Sequence, residues 1–184
     1  DIRLAIDGNQ YFQKEEALEF IKRAAEYNIA WFEEPLHCCD FDGMKWLAEK
    51  SPVPIAAGES MRNHYMFEQY LHCGVKHFQP CPSNMAGIRE WMMIRDLAQE
   101  NQIELTSGGL PYMSGPLIST AAESAMEEYL KPVENAQREF LSIKWDIKDG
   151  KFYMPMTPGI PFKVDLERMR KKQMILRKDY YYPG

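Results

Sequence analysis

The chain has 184 residues, with 22 basic and 27 acidic side chains and a formal charge of −5. That length suits one ordinary domain, which buries roughly 70% of its unfolded surface, and the acidity argues against nucleic acid or an anionic membrane as partner. No apolar run approaches the roughly 20 residues needed to cross a bilayer, and no signal-peptide pattern opens the chain.

Taken in order, 2–7 (IRLAID) reads as a buried strand broken by Gly8. Residues 14–28 place Ala17, Leu18, Ile21, Ala24 and Ala25 at helical spacing, with Asn28 as the stop. A second strand, 29–32, precedes a helix near 41–50. A third, 53–58, precedes a helix from about Asn63 to Cys73. A fourth, 75–80, leads into the longest helix, 86–101, and a fifth, 103–107, into a helix near 114–127. A short run, 128–132, reads as a sixth strand. Beyond it, Asp149-Gly150 has hairpin-turn chemistry, followed by an extended strap and the basic run 168–178, which reads as a solvated or interface helix.

Strands alternating with helices imply βαβ units and a parallel sheet, and a repeat of about 25 residues is the pace of a (β/α) barrel. The domain reading is a partial barrel over 1–132 and a C-terminal strap over 133–184. Four cysteines, Cys38, Cys39, Cys73 and Cys81, show no C-x-x-C pair and no zinc-type spacing. They fit a reduced, cytoplasmic compartment.

Asp7, Glu33 and Glu59 each end one of the first three strands, at intervals of 26 and 26 residues. In a parallel barrel such residues line one rim. A single acid at a strand end reads as a cap or a solvated loop group. Three at one period imply a hard divalent cation among them, and oxygen-only ligation with open positions suits Mg²⁺. Glu34, next to Glu33, then turns away or supports the site from behind.

At these residues the chain resembles the enolase superfamily, in particular its mandelate racemase and acid-sugar dehydratase branch. The pieces are IDGNQ (6–10), WFEEP (31–35), VPIAAGES (53–60), HFQPCPSNMAGI (77–88) and DGKFYMPMTPGIP (149–161), in family order. The resemblance implies a modified (β/α)7β TIM-type barrel, of which this chain supplies strands three to eight and a strap that packs on the barrel and a cap domain. It implies Mg²⁺ held by Asp7, Glu33 and Glu59, a sugar-acid carboxylate on the ion, removal of the proton beside it, and an enediolate stabilised by the metal. Asn9 falls where the family places a polar group beside the substrate. Glu128 matches a glutamate at the end of the last strand that bonds the enediolate oxygen, although Glu127 leaves the register open. Relatives are commonly symmetric assemblies, which implies a homo-oligomer.

The chain also departs from the pattern. The family's paired Asp and His after its sixth and seventh strands are Cys81 and Gly108 here, and PSNMAG lacks the epimerase lysine. The Lys-x-Lys base belongs to a strand before this chain's first, so the chain reads as the C-terminal part of a longer enzyme that is inactive alone. The function implied is a hydro-lyase acting on a sugar acid. A racemase or epimerase, and a non-catalytic relative that keeps the metal, stand as alternatives. Tyr112 and Cys81 are candidate acids, with a buried small side chain the commoner role for a free Cys. Trp31, Trp46 and Trp91 read as packing, and His37-Cys38-Cys39 as a loop over the rim without a metal.

Overall fold

The computed structural model describes residues 2–142, 146–155, 158–160 and 162–174. They fall into two compact units, Asp1–Glu128 and Tyr129–Gly184. The first holds a six-stranded parallel sheet of β1 (Leu4–Asp7), β2 (Ile29–Glu33), β3 (Ile55–Ala57), β4 (His77–Phe78), β5 (Glu104–Ser107) and β6 (Met126–Glu127). The strands lie in sequence order. Among the described residues β1 pairs only with β2 and β6 only with β5, so both ends of this curled half-barrel are open edges.

Helices α1 (Lys14–Ala24), α2 (Phe41–Ala48), α3 (His64–Cys73), α4 (Ile88–Glu100) and α5 (Pro111–Ile118) connect the strands. Each boundary has a local cause. Glu15 and Glu16 open α1 and Lys22 and Arg23 close it, matching the helix dipole. Asn28 then takes the left-handed conformation, φ 54°, as the stop expected of it. Asp40 Oδ1 accepts from Gly43 N to cap α2, and Asn63 Oδ1 accepts from Met66 N to cap α3, which ends at Gly74, φ 83°. No helix among the described residues is long and apolar enough to cross a membrane.

Alternation along the strands builds the core. Phe32, Ile55, Ala57, Phe78 and Leu105 are buried, joined by Ile21, Leu47, Phe67, Tyr70, Trp91 and Ile94 from the helices. Phe67 and Phe78 meet edge to face, centroids 5.2 Å apart. Trp91 Nε1 donates to Ser107 Oγ at 3.1 Å, and Ser107 Oγ donates to Pro80 O at 3.0 Å, so the buried indole is satisfied.

Two expectations are corrected. The last helix of the first unit covers 111–118 rather than 114–127, because Pro111 opens it earlier and it closes at Ser119, whose N–H bonds Gly115 O and Leu117 O. The sixth strand is Met126–Glu127 rather than 128–132, fixed by pairing of Ser107 with Glu127.

In the second unit, Lys131–Arg138 forms helix α6, with Pro132 tolerated in its first turn. Strand β7 (Leu141–Ser142) pairs antiparallel with β10 (Lys163–Val164). The hairpin expected at Asp149-Gly150 is present as β8 (Asp146–Lys148) and β9 (Lys151–Tyr153), with φ 52° and 70° at the two turn residues. Helix α7 (Leu166–Lys171) is capped by Asp165 and covers part of the basic run, whose residues 175–178 lie outside the described residues. Of the extended strap expected around 156–161, residues 156, 157 and 161 lie outside them too.

Gly58, φ 143°, links β3 to Glu59, and a Cβ there would stand 2.6 Å from the Phe67 ring, which is fully buried. Gly58→Ala is expected to lower stability by roughly 2–4 kcal/mol, from a disfavoured φ and an immovable neighbour. Urea unfolding measures it, and an unchanged midpoint contradicts this packing.

Candidate active site

Parallel strands in sequence order bring all their C-terminal ends to one rim. Asp7 and Glu33 are paired neighbours at the ends of β1 and β2, and Glu33 is also paired with Ala56, so Glu59 follows just beyond on the adjacent strand's exit. An open cleft of about 180 Å³ lies there, lined in part by Trp31, Glu33, Glu59, Gln79, Gly108 and Glu128.

The acids feel one another. Burial, then Glu34, Glu33, Asp7 and Glu128, push the Glu59 carboxyl up to about 7. Burial chiefly raises Glu33 as well, with Asp7 and Glu128 adding to it and hydrogen bonds from Gln79 and Trp31 opposing it. Asp7 and Glu33 are each held by their own donors. Asn9 N and Nδ2 bond the two Asp7 oxygens at 2.7 and 3.2 Å. Gln79 Nε2 donates to Glu33 Oε2 at 2.5 Å and Trp31 Nε1 to the same oxygen at 3.3 Å. The three carboxylates do not all draw to within 4.8 Å of one another. An oxygen-only donor set, in which burial and then the neighbouring acids raise Glu33 and Glu59, fits a hard divalent cation, which offsets the charge the residues alone leave uncompensated.

Glu34 turns away from the cleft. It is 1% exposed, at φ 31°, and accepts from Gln10 Nε2 at 2.7 Å. Gln10 Nε2 also reaches Ser60 Oγ at 2.9 Å, and Gln10 Oε1 takes Cys38 N at 2.9 Å. One glutamine thus ties together the exits of β1, β2 and β3.

Glu127 and Glu128 both line this cleft, and their partners differ. Glu128 N donates to Ser107 O at 2.9 Å, and Glu128 Oε2 accepts from Gly109 N at 3.3 Å. That carboxylate fills the space beside Gly108, where a Cβ would come within 2.7 Å of Oε2. Cys81 Sγ occupies the corresponding space at Gly109, 2.4 Å from a Cβ position, and lies 3.1 Å from Ser83 Oγ. The two departures from the family pattern are therefore adjacent, and backbone without side chains is what lets Glu128 and Cys81 sit as they do. Tyr112 is buried in the first turn of α5 and does not line the cleft.

Glu127 points to α5. Ser114 Oγ lies 2.5 Å from Glu127 Oε1 and 2.8 Å from Leu110 O. One hydroxyl hydrogen serves only one acceptor, and a protonated Glu127 removes the conflict by donating to Oγ. Burial, opposed by Ser114, pushes this carboxyl up to about 8.

Sequence reasoning missed Gln10, Gln79 and the polar role of Trp31. Trp31 is two residues before Glu33 on the same strand, and the period of two places both on one face. His77, whose ring packs 4.6 Å from Trp31, is buried and pushed down to about 4 by burial, so it stays neutral, 2.7 Å from Thr106 Oγ1.

Residues 1–169 match the family described as enolase C-terminal domain-like. The chain belongs to that family. It is similar to L-talarate/galactarate dehydratase of Salmonella typhimurium, 27% identical over 179 residues, covering 93% of this chain and 42% of that protein. It is also similar to arabinonate dehydratase of Saccharolobus solfataricus, 26% identical over 169 residues, covering 89% and 45%. A Bradyrhizobium enolase structure, complexed with magnesium and mandelic acid, superposes with a TM-score of 0.83 at 26% identity, over 93% of this chain and 46% of that one. The chain spans less than half the length of each.

A neutral Glu127 gives a signed expectation. Its folded value lies above the ordinary 4.5, so the penalty for its charged form grows as pH rises from about 4.5 to about 8. Glu127→Gln keeps a neutral donor to Ser114, and its stability is expected to decline less than the parent's over that window. Thermal unfolding across pH checks this, and parallel curves contradict it.

Proposed function

We propose that the whole protein carrying this chain is a Mg²⁺-dependent hydro-lyase of a sugar acid, and that this chain supplies its metal ligands and part of its substrate cleft. The observation that carries the reading is the convergence of Asp7, Glu33 and Glu59 on one rim, with Glu128 held beside them. Similarity to two acid-sugar dehydratases supports it. Asp7, Glu33 and Glu59 would hold the ion, which would offset their charge, accept an α-hydroxy carboxylate as a chelating ligand and supply positive charge where negative charge develops as the α-proton leaves.

The chain's own residues then have distinct tasks. Asn9 and Gln79 aim Asp7 and Glu33 by donating to them, so the donor oxygens are oriented without free rotation. Glu128, whose Oε2 accepts from Gly109 N, offers its other oxygen as acceptor to a substrate hydroxyl. Among the described residues no lysine or histidine lines the cleft, so the proton-abstracting base comes from elsewhere in the whole protein. Racemisation needs a proton donor on each face of the substrate. The carboxylate of Glu128 fills the space a histidine side chain at 108 would enter, which favours elimination.

The test is to incubate the whole protein with Mg²⁺ and a panel of aldonates and aldarates in D₂O. A keto-deoxy acid is the expected product, and Glu59→Gln is expected to slow its formation by roughly 10²-fold or more. Deuterium in recovered substrate without keto acid would instead establish a racemase. Intact Mg²⁺ binding with no turnover of any substrate would establish the non-catalytic relative.

A further inference from the structure

The loop after β2 carries three more side chains of types that ligate metals, nitrogen and sulfur donors where the cleft has oxygen. Among the described residues His37, Cys38 and Cys39 bring one ligand atom each to within 4.8 Å of one another. Both cysteines are free thiols, and their sulfurs are 3.8 Å apart. That separation far exceeds a disulfide bond of about 2.05 Å. It matches the edge of a tetrahedron whose centre lies about 2.3 Å from each corner, the zinc–thiolate distance.

The ring is held against the backbone of the cysteines. His37 Nδ1 accepts from Cys39 N at 3.2 Å, so a cation that takes this lone pair replaces that hydrogen bond. The backbone is fixed on both sides. Gln10 Oε1 holds Cys38 N, Tyr70 Oη donates to Cys38 O at 2.9 Å, and Asp40 N bonds His37 O at 2.9 Å. His37 and Cys39 are exposed, so an ion reaches the cluster from solvent and keeps an open position for water.

We propose that His37, Cys38 and Cys39 form a second metal site, specific for a soft or borderline d¹⁰ cation of the Zn²⁺ or Cd²⁺ kind. Hard and soft donors keep the two sites apart in what they bind, because Mg²⁺ competes poorly for thiolate and imidazole. Binding exchanges two S–H protons for two metal–sulfur bonds, so two protons leave per ion and no electron moves. Burial, the neighbouring Cys39 sulfur and Glu34 raise the Cys38 thiol to about 11, so affinity climbs with pH.

The test titrates the full chain with Cd²⁺ in excess Mg²⁺ under a phosphine reductant, reading the sulfur-to-cadmium charge-transfer band. The band is expected to saturate at one Cd²⁺ per chain with release of two protons. Cys39→Ser should lose about half of its intensity and Cys38→Ser/Cys39→Ser all of it, since each cysteine supplies one of two sulfur ligands. His37→Ala should keep the band with weaker affinity. Cys73 and Cys81 remain in every variant as internal controls. No saturable band, a band that survives in the double variant, or a His37→Ala affinity equal to the parent's would overturn the assignment.

Discussion

Repulsion among carboxylates at one end of a parallel sheet governs this structure. Strand order fixes where Asp7, Glu33 and Glu59 emerge, and Glu128 joins them from β6. Burial, and after it the charges of the neighbouring acids, raises the Glu59 carboxyl to about 7 and raises Glu33 as well. A fold built only for stability would not gather them. A divalent cation changes the sign of the interaction, turning the arrangement from a cost into a binding site.

The surrounding residues make sense as answers to that repulsion. Neutral donors, Asn9, Gln79 and Trp31, take up lone pairs of Asp7 and Glu33 without adding a competing cation. Glu34 is removed to the other side of β2 and tied to Gln10, and Glu127 is directed to Ser114. Glycines at 58, 108 and 109 let the backbone pass close to Phe67, Glu128 and Cys81. The site is thus shaped as much by side chains turned away, or absent, as by those that face the cleft.

Much of this was legible before any coordinates. The (β/α) order, the three acids at one period, the stop at Asn28 and the hairpin at Asp149-Gly150 all follow from local patterns that the fold respects. The region after Ser107 was read less well. A two-residue strand, Met126–Glu127, has no apolar period of its own and is defined by pairing with Thr106 and Ser107, which no local pattern announces. Pro132 read as an end to the sixth strand but sits in the first turn of α6. The different partners of Glu127 and Glu128 depend on the same long-range pairing. The clasp of Gln10 across residues 24 and 50 positions away was equally invisible, because glutamine carries no charge or spacing signal.

The central claim is that the three acids hold one hard cation. Anomalous diffraction from crystals of the protein soaked in Mn²⁺, a heavier stand-in for Mg²⁺, tests it most directly. The account predicts one strong peak within about 2.0–2.3 Å of oxygens from Asp7, Glu33 and Glu59. No peak among those three residues, with Mn²⁺ bound elsewhere or not at all, would contradict it.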